Sequence, residues 1–298
     1  MKILLSNLHL KEFGGSELVT VELAEYYASL GHEVTLYSPM IGAPLITAIK
    51  RHNVALAVKE PGLEELYSFD IIWSHHGLLL DTINAKNKLA HQLIVSNHMS
   101  SWVDVEKPKY GYDQVDIILA NSEETRAKMS ELHRAKCQLF QNPTPAPVWS
   151  DELCTRKRPL GLSISNHRTA ELVTFMGMNS KDVDFELIGM KSQNYIRISS
   201  QKIYDIEPDF VICNGKSVQM ALAANVPVFL FDNFGGCGWL TEENFADAEW
   251  HNFSGRGFKN SPNLADILFF DTIEPIEMTD DRKNKFILDN RIKQLGIY

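Results

Sequence analysis

The stretch that decides the fold is Met1–Pro39, MKILLSNLHLKEFGGSELVTVELAEYYASLGHEVTLYSP. An apolar run at Ile3–Leu5 leads to a glycine turn at Gly14–Ser16, and the spacing of apolar residues predicts an amphipathic helix over Glu17–Leu30. A β-branched strand follows at His32–Tyr37. A strand, a helix and a second strand in this order predict a βαβ unit, whose crossover is right-handed.

The same alternation of predicted strands and helices continues along the rest of the chain. In the first half it predicts strands at Asp70–Trp73, Gln92–Ser96, Asp116–Ala120 and Gln138–Gln141, with a helix over Glu123–Ala135. In the second half it predicts strands at Gly161–Ser165, Asp184–Ile188, Asp209–Cys213 and Val226–Phe231, with helices over Ala170–Met176 and Ser217–Ala224. Short, unbroken apolar runs of this kind are typical of parallel strands in a sheet that is covered on both faces.

The proline-rich segment Asn142–Pro147 separates the two halves, because alternating prolines continue neither a helix nor a central strand. We therefore predict an α/β protein with two tandem Rossmann-like, doubly wound domains and a cleft between them. The predicted bounds are residues 1–145 for the first domain and 159–275 for the second. Residues 276–298 are expected to form a C-terminal helix, over Asp280–Leu295, that can pack back on the first domain.

Composition narrows the classes of function. The 298 residues carry a formal charge of −9, which disfavours nucleic acid as the main partner. Cys137, Cys154, Cys213 and Cys237 show no metal-ligand spacing, and no apolar run is long enough for a signal peptide or a membrane span, so a cytoplasmic protein is expected. Basic clusters at 126–136 and 156–158 leave peripheral attachment to the inner face of the membrane open, although solvated helix and linker charge is the favoured interpretation.

Polar groups in the first half follow predicted strands, where ligands of open α/β sheets bind. The turn at Gly14 and Gly15 precedes a helix, so its N–H groups can hold an anion such as a diphosphate, and Glu17 beside it is a candidate for binding the acceptor or the sugar. His75, His76 and His98 are candidates for sugar contacts, with local hydrogen bonding as the alternative. Their spacing includes no helical carboxylate partner, so no metal is expected.

Two further turns in the second half combine cations with amide groups. The first contains Asn166, His167 and Arg168, and the second contains Asn214, Gly215, Lys216 and Ser217. Each follows a strand and opens a helix, which favours phosphate binding. The second turn lacks the spacing of a Walker A loop, so ATP hydrolysis is not implied.

A glycine-rich stretch follows the last predicted strand. Gly235, Gly236 and Trp239 predict a loop that approaches a flat ligand and stacks on it, while Glu243 and Arg256 offer groups for hydroxyl and phosphate binding. The alternative is a structural glycine-rich loop with a surface arginine. Taken together, these motifs predict a site for a phosphorylated, ring-containing ligand.

Residues 14–17 with the following GHEVTLYSP, and ILANS at Ile118–Ser122, resemble the N-terminal domain of GT-B glycosyltransferases related to retaining bacterial cell-surface polysaccharide enzymes. PDFVICNGKSVQMALAANVPVFLFDNFGGCGWL and NFSGRGF resemble the C-terminal domain of a subset of bacterial glycosyltransferases. The resemblance implies a hexosyltransferase-like enzyme of polysaccharide biosynthesis that uses a nucleotide-sugar, a UDP-sugar first, and a carbohydrate or lipid-linked acceptor. No obligatory cofactor is expected.

The resemblance also suggests roles for the candidate residues. The donor diphosphate is expected between the Gly14-Gly15 turn and the cations Arg168, Lys216 and Arg256, with His98 at the reacting sugar. The pair of glutamates eight positions apart that retaining enzymes carry is absent around Asn214–Ala224. A nucleotide-sugar epimerase of the same fold and a degenerate sugar- or nucleotide-binding subunit therefore remain as alternatives.

Overall fold

The computed structural model describes residues 1–49, 53–84, 91–100, 111–150, 156–190, 192–258 and 261–298. Within them the chain divides into two compact units, Met1–Gln141 and Asn142–Tyr298. Compactness is not a test of independent folding, so the predicted domain bounds stay predictions.

The first unit is built on a parallel sheet of order β5-β3-β1-β6-β7-β8-β9. Strands β2 and β4 form a separate parallel pair. The strands of this unit are β1 Lys2–Ser6, β2 His9–Leu10, β3 Glu33–Tyr37, β4 Met40–Ile41, β5 Val54–Ala57, β6 Ile71–His75, β7 Leu93–His98, β8 Ile117–Ala120 and β9 Cys137–Leu139. Its helices are α1 Gly15–Ser29, α2 Leu63–Leu66, α3 Leu80–Asn84, α4 Glu123–Ala127 and α5 Glu131–Lys136, with a 3-10 turn at Leu45–Thr47.

The opening βαβ unit is confirmed. Strand β1 pairs in parallel with β3 on one side, from Lys2 opposite Glu33, and with β6 on the other. Its residues Ile3, Leu4 and Leu5 are fully buried, as an apolar run in a sheet covered on both faces requires. The first strand therefore lies in the interior of the sheet, at the point where the strand order reverses direction. Ligands of open α/β sheets bind in the crevice beyond the carboxyl ends of the strands at such a point.

The second unit has a sheet of order β11-β10-β12-β13-β14, parallel except for β14. Its strands are β10 Leu160–Ile164, β11 Asp184–Ile188, β12 Phe210–Cys213, β13 Val228–Asp232 and β14 Gly235–Trp239. Its helices are α6 Ala170–Met178, α7 Ser200–Ile206, α8 Lys216–Ala223, α9 Glu242–Trp250, α10 Asp280–Phe286 and α11 Leu288–Leu295, with a 3-10 segment at Leu264–Thr272. The α/β prediction is thus confirmed for both units.

Three sequence predictions are corrected. The helix expected over Glu123–Ala135 is two helices, because the Ser130 hydroxyl accepts from His133 N–H and starts α5. The C-terminal helix is likewise interrupted, at Ile287, which bridges Thr144 in parallel. The glycine-rich stretch after β13 is not a loop, since β14 pairs antiparallel with β13 in a hairpin.

The C-terminal residues pack within the second unit. The ring of Phe286 lies 6.2 Å from that of Phe245 and 5.9 Å from that of Phe253. Arg282 forms a two-pronged ion pair with Glu242, at 2.8 and 2.6 Å. Packing of this segment on the first domain stays a prediction. Among the residues that the structure describes, none of the helices has the length and apolar character needed to cross a membrane.

Candidate functional site

The carboxyl edge of the first sheet is filled by a buried histidine network. His75, at the end of β6, is fully buried, and its Nδ1 lies 3.3 Å from the Ser6 carbonyl oxygen and 3.3 Å from Thr20 Oγ1. Its Nε2 lies 3.1 Å from Asn97 Nδ2. A carbonyl oxygen only accepts and an amide N–H donates, so the neutral ring carries its proton on Nδ1. Burial, aided by the nearby His76, lowers the pKa of His75 to about 3.

The second predicted histidine of this edge is also buried. His98 ends β7, and its Nε2 lies 3.2 Å from Ser96 Oγ and 3.1 Å from Tyr112 OH. His76, in contrast, is half-buried and has a positive φ of 61° in the turn after β6. The three histidines thus follow their strands as the sequence predicts, but His75 and His98 make interior contacts. Their contact with a sugar stays a prediction.

A carboxylate occupies the turn that was predicted to bind a diphosphate. Gly14 precedes α1, and the Glu17 side chain folds back over it, accepting a 2.9 Å hydrogen bond from Ser16 Oγ. A Cβ on Gly14 would overlap the Glu17 carboxylate, so this carboxylate lies directly against the glycine. The partial positive charge of a helix N-terminus favours such an acid. A diphosphate at Gly14 and Gly15 would meet this negative charge, and its binding there stays a prediction.

The carboxyl edge of the second sheet contains a pocket of about 400 Å³. Its lining comes from the segment after β10, from the end of β11 and the residues after it, from α6, and from the turn between β13 and β14. The lining residues are Asn166, His167, Arg168, Val173, Leu187, Met190 and Asn233. Three of the predicted phosphate-site residues, Asn166, His167 and Arg168, are therefore together in one pocket.

Backbone hydrogen bonds hold the pocket wall in place. Asn166 Oδ1 accepts from Met190 N–H at 2.9 Å, and the His167 carbonyl oxygen accepts from Asn233 N–H at 3.1 Å. The His167 ring meets the Phe234 ring edge to face, with centroids 5.5 Å apart. The wall is thus assembled from three segments that are distant in sequence, and it is largely formed before any ligand binds.

Arg168 both lines the pocket and joins two strand ends. Its Nε donates to Ser163 Oγ at 3.2 Å, and a terminal nitrogen donates to the Ile188 carbonyl oxygen. Burial lowers the pKa of Arg168 from its usual value, although guanidinium groups stay charged in proteins. The cation is therefore held by neutral acceptors and is not neutralised by them.

A buried carboxyl group, which the sequence analysis did not select, lies behind this wall. Asp232 ends β13 with 1% of its surface exposed, and its Oδ1 accepts from Phe234 N–H at 2.7 Å. Its Oδ2 accepts from Asn214 Nδ2. Burial raises the pKa of Asp232 to about 6, against the opposing effects of the Phe234 N–H and of the positive charges of His167 and Arg256. An acid ending an apolar strand was the signal that could have identified it.

Lys216, predicted to bind phosphate, is bound to the chain itself. Its Nζ donates to the carbonyl oxygens of Asn142 and Pro143, at 3.0 and 2.7 Å, and 5% of the residue is exposed. Gly215, with a φ of 54°, precedes α8 and donates its N–H to the Phe253 carbonyl oxygen. Ser217 is half-buried in the first turn of α8. Lys216 therefore anchors residues 142–143, whereas the sequence predicted that its ammonium group would bind phosphate.

The glycines after β13 serve backbone packing. A Cβ on Gly236 would overlap the Leu230 backbone, and one on Gly255 would overlap Gly235. Trp239 packs edge to face on Phe229, with ring centroids 5.2 Å apart, and its Nε1 donates to the Asp266 carbonyl oxygen. The predicted ligand-stacking loop is thus a hairpin whose half-buried tryptophan packs against the core. Of the remaining predicted residues, Glu243 is exposed on α9 and Arg256 is half-buried near Asp232.

Several solved structures align with this chain. The chain aligns over 100% of its length with 97% of a glycosyltransferase from Rickettsia africae, with a TM-score of 0.53 and 15% sequence identity. Sucrose-phosphate synthase from Thermosynechococcus elongatus aligns with 86% of this chain over 92% of its own, with a TM-score of 0.48 and 12% identity. WaaG, a glycosyltransferase involved in lipopolysaccharide biosynthesis, aligns with 76% of this chain over 80% of its own, with a TM-score of 0.43 and 11% identity.

The full-length alignment with the Rickettsia africae protein confirms the prediction of a GT-B fold with two Rossmann-like domains. The sequence matches no protein-family model and no curated protein. At 15% identity the structural likeness shows the fold and not the reaction. The relation to retaining cell-surface enzymes stays a prediction.

Proposed function

We propose that the protein is a hexosyltransferase-like glycosyltransferase that moves a sugar from a nucleotide-sugar to a carbohydrate or lipid-linked acceptor in polysaccharide or glycoconjugate synthesis. The observation that carries the proposal is the pocket of about 400 Å³ at the carboxyl edge of the second sheet. Ligands of open α/β sheets bind at this edge, and the volume lies within the range of about 300–1,000 Å³ typical of small-molecule sites. The GT-B fold supports the class of reaction.

The lining of the pocket suits a nucleotide diphosphate with an attached sugar. Arg168 supplies a cationic group and His167 a ring N–H for the phosphates, and the Asn166 and Asn233 side chains supply amide groups for hydroxyls. Val173, Leu187 and Met190 offer apolar surface for a base or a sugar face. We propose a UDP-sugar as the first donor to test.

In the proposed reaction, the pocket stabilises the negative charge that develops on the leaving diphosphate. When the bond from the sugar to the diphosphate breaks, negative charge grows on the departing phosphate, and Arg168 and His167 are the groups of the pocket that stabilise it. Lys216 contributes by anchoring the start of α8 to residues 142–143. We propose acceptor binding at the first unit, near Glu17 and His76, and peripheral membrane contact only for a lipid-linked acceptor.

Calorimetric titration with UDP, GDP, ADP and their sugars tests the donor site. We expect one nucleotide diphosphate to bind, and His167→Ala to weaken its binding about tenfold, because a charge-assisted hydrogen bond is lost. Lys181→Ala is the matched control, since Lys181 is exposed in the turn before β11, at the opposite edge of the same sheet. Equal affinities of the His167→Ala and wild-type proteins would exclude this pocket as the donor site.

Product analysis separates transfer from the alternatives. Incubation with the nucleotide-sugar that binds, and with a panel of glycan and lipid-linked acceptors, is expected to release nucleotide diphosphate only when an acceptor is present. Conversion of the donor to an isomeric nucleotide-sugar without acceptor would identify an epimerase. Binding without turnover against every acceptor would identify a binding subunit.

A further inference from the structure

Asp232 places a carboxyl group against a pocket whose other charged groups are cations. It precedes Asn233, which lines the pocket, and it lies close enough to His167 for the two charges to interact. The Asn233 N–H also donates to the His167 carbonyl oxygen. Asp232 is therefore adjacent in the chain to one lining residue, which is hydrogen-bonded to a second. The carboxyl group is therefore part of the electrostatic environment of any ligand in the pocket.

The groups that face Asp232 come from every segment around it. Phe234 N–H and the Asn214 side-chain amide donate to its two oxygens. His167 and Arg256 bring positive charge, which lowers the pKa of Asp232, and the Cys213 thiol lies near it on β12. Burial and the charge of Asp232 both raise the pKa of Cys213, so this thiol stays neutral.

An anionic ligand conflicts with an ionised Asp232. Two negative charges in a partly buried site repel each other strongly, and the repulsion favours the protonated form of the acid. The acid already titrates close to neutrality, because burial raises its pKa to about 6. A diphosphate that entered the pocket would raise it further, into the range where the free protein is mostly ionised.

We propose that Asp232 couples the binding of an anion in this pocket to the uptake of one proton from solvent. The inference rests on the proposed donor site and deepens it, since it assigns a positioning residue to that site. On binding, the Asp232 carboxylate gains the proton and becomes a neutral acid, while Phe234 N–H and the Asn214 amide continue to donate to its oxygens. Release of the anion returns the proton to solvent, so no other reactant is required.

Calorimetry on the wild-type protein measures the proton directly. Inorganic pyrophosphate and UDP are titrated at pH 7 in two buffers with different heats of ionisation, and the difference in heat gives the protons taken up per ligand. We expect Asp232 to contribute about half a proton, and the affinity to fall about tenfold between pH 5.5 and pH 7.5, beyond the titration of the ligand itself. Binding without proton uptake would overturn the proposal.

Two variants assign the proton to a residue. In Asp232→Asn, uptake is expected to fall by about half a proton, and the affinity at pH 7.5 to match that of the wild-type protein at pH 5.5. In His167→Ala, the Asp232 part of the uptake is expected to remain. Asp182→Asn, an exposed acid before β11 at the opposite sheet edge, is the matched control.

The outcomes also separate this proposal from the proposed function. Should Asp232→Asn fail to fold, the His167→Ala protein still decides, because loss of all uptake there places the proton on His167 and overturns the proposal. Pyrophosphate binding with uptake by Asp232, but without sugar transfer, would refute only the enzymatic function. Sugar transfer without any proton linked to Asp232 would refute only this inference.

Discussion

The two sheets carry polar groups at the same place, after their parallel strands, yet the two edges differ in what those groups do. In the first unit, His75 is fully buried and its ring nitrogens lie within hydrogen-bonding distance of Ser6, Thr20 and Asn97. In the second unit, His167 is exposed at a pocket of about 400 Å³. The position after a strand therefore indicates where a site can lie, and burial decides whether the group supports the fold or meets a ligand.

The difference extends to the response to acid. His75 is buried as a neutral base, with a pKa of about 3, whereas Asp232 is a buried acid with a pKa of about 6. Protonation charges the first and neutralises the second. As the pH falls, the stability contributed by His75 should therefore decrease, whereas that contributed by Asp232 should increase.

The largest effect is expected at His75. Its pKa falls from 6.5 in the unfolded chain to about 3 in the folded protein, so its stabilisation is complete above pH 6.5 and is lost as the pH falls. We expect a loss of about 4 kcal/mol in the free energy of unfolding by about pH 3.5, absent in His75→Phe. Urea denaturation at several pH values measures it, with His91→Phe, at an exposed histidine just before β7, as the control. Parallel pH curves for His75→Phe and the wild-type protein would contradict this assignment.

Asp232 is expected to show the opposite sign. Its pKa rises from 3.8 to about 6 on folding, so the folded protein binds more protons between these values and loses stability as the pH rises through them. The stability of Asp232→Asn relative to the wild-type protein should thus increase by about 2.5 kcal/mol from pH 4 to pH 8. The same denaturation series detects it. A relative stability that is independent of pH would show that Asp232 titrates alike in both states.

Lys216 tests whether a predicted phosphate ligand is structural. Lys216→Met keeps the length of the side chain but removes the donor, so two buried carbonyl oxygens lose a partner and the free energy of unfolding should fall by about 2 kcal/mol. Lys202→Met, at an exposed lysine of α7, is the control. Thermal and urea unfolding provide the measurement. Lower nucleotide affinity at unchanged stability would instead support the phosphate-binding role predicted from the sequence.

The smallest effect on stability is expected at the pocket itself. Val173→Trp places a large ring into the open volume, so we expect the free energy of unfolding to change by no more than about 0.5 kcal/mol and UDP affinity to fall about tenfold. Thr174→Trp adds the same ring at the next exposed position of α6, outside the pocket lining. Equal UDP affinities of the two variants would argue against nucleotide binding between α6 and β11.

The sequence predicted the sheets well because apolar runs in parallel strands are set by local burial on both faces. It missed β14, since the glycines of Gly235–Trp239 indicate a turn by composition, whereas their pairing with β13 depends on close backbone approach. It also missed the break at Ile287, which is explained by a bridge to Thr144 far away in the chain. Long-range backbone contacts of this kind leave no periodic signal.

The site was predictable in position more than in role. Residues 166–168 lie in one pocket as their place after a strand suggests. Lys216, however, bonds to carbonyl oxygens 74 and 73 residues away, and the pKa of Asp232 depends on His167 and Arg256 from two other segments. The folded interior decides whether a charged side chain is available to a ligand, is hydrogen-bonded within the protein or has a shifted pKa. The local sequence does not determine which of these holds.

The bridge between Thr144 and Ile287 joins the two ends of the second unit. Thr144 N–H donates to the Phe286 carbonyl oxygen at 2.8 Å, and Leu288 N–H donates to the Thr144 carbonyl oxygen at 2.9 Å. The chain thus enters and leaves this unit side by side, which is the arrangement that circular permutation needs. A short linker across these ends, with new termini in the turn at 179–182, would reorder the sequence of the unit while keeping its pocket.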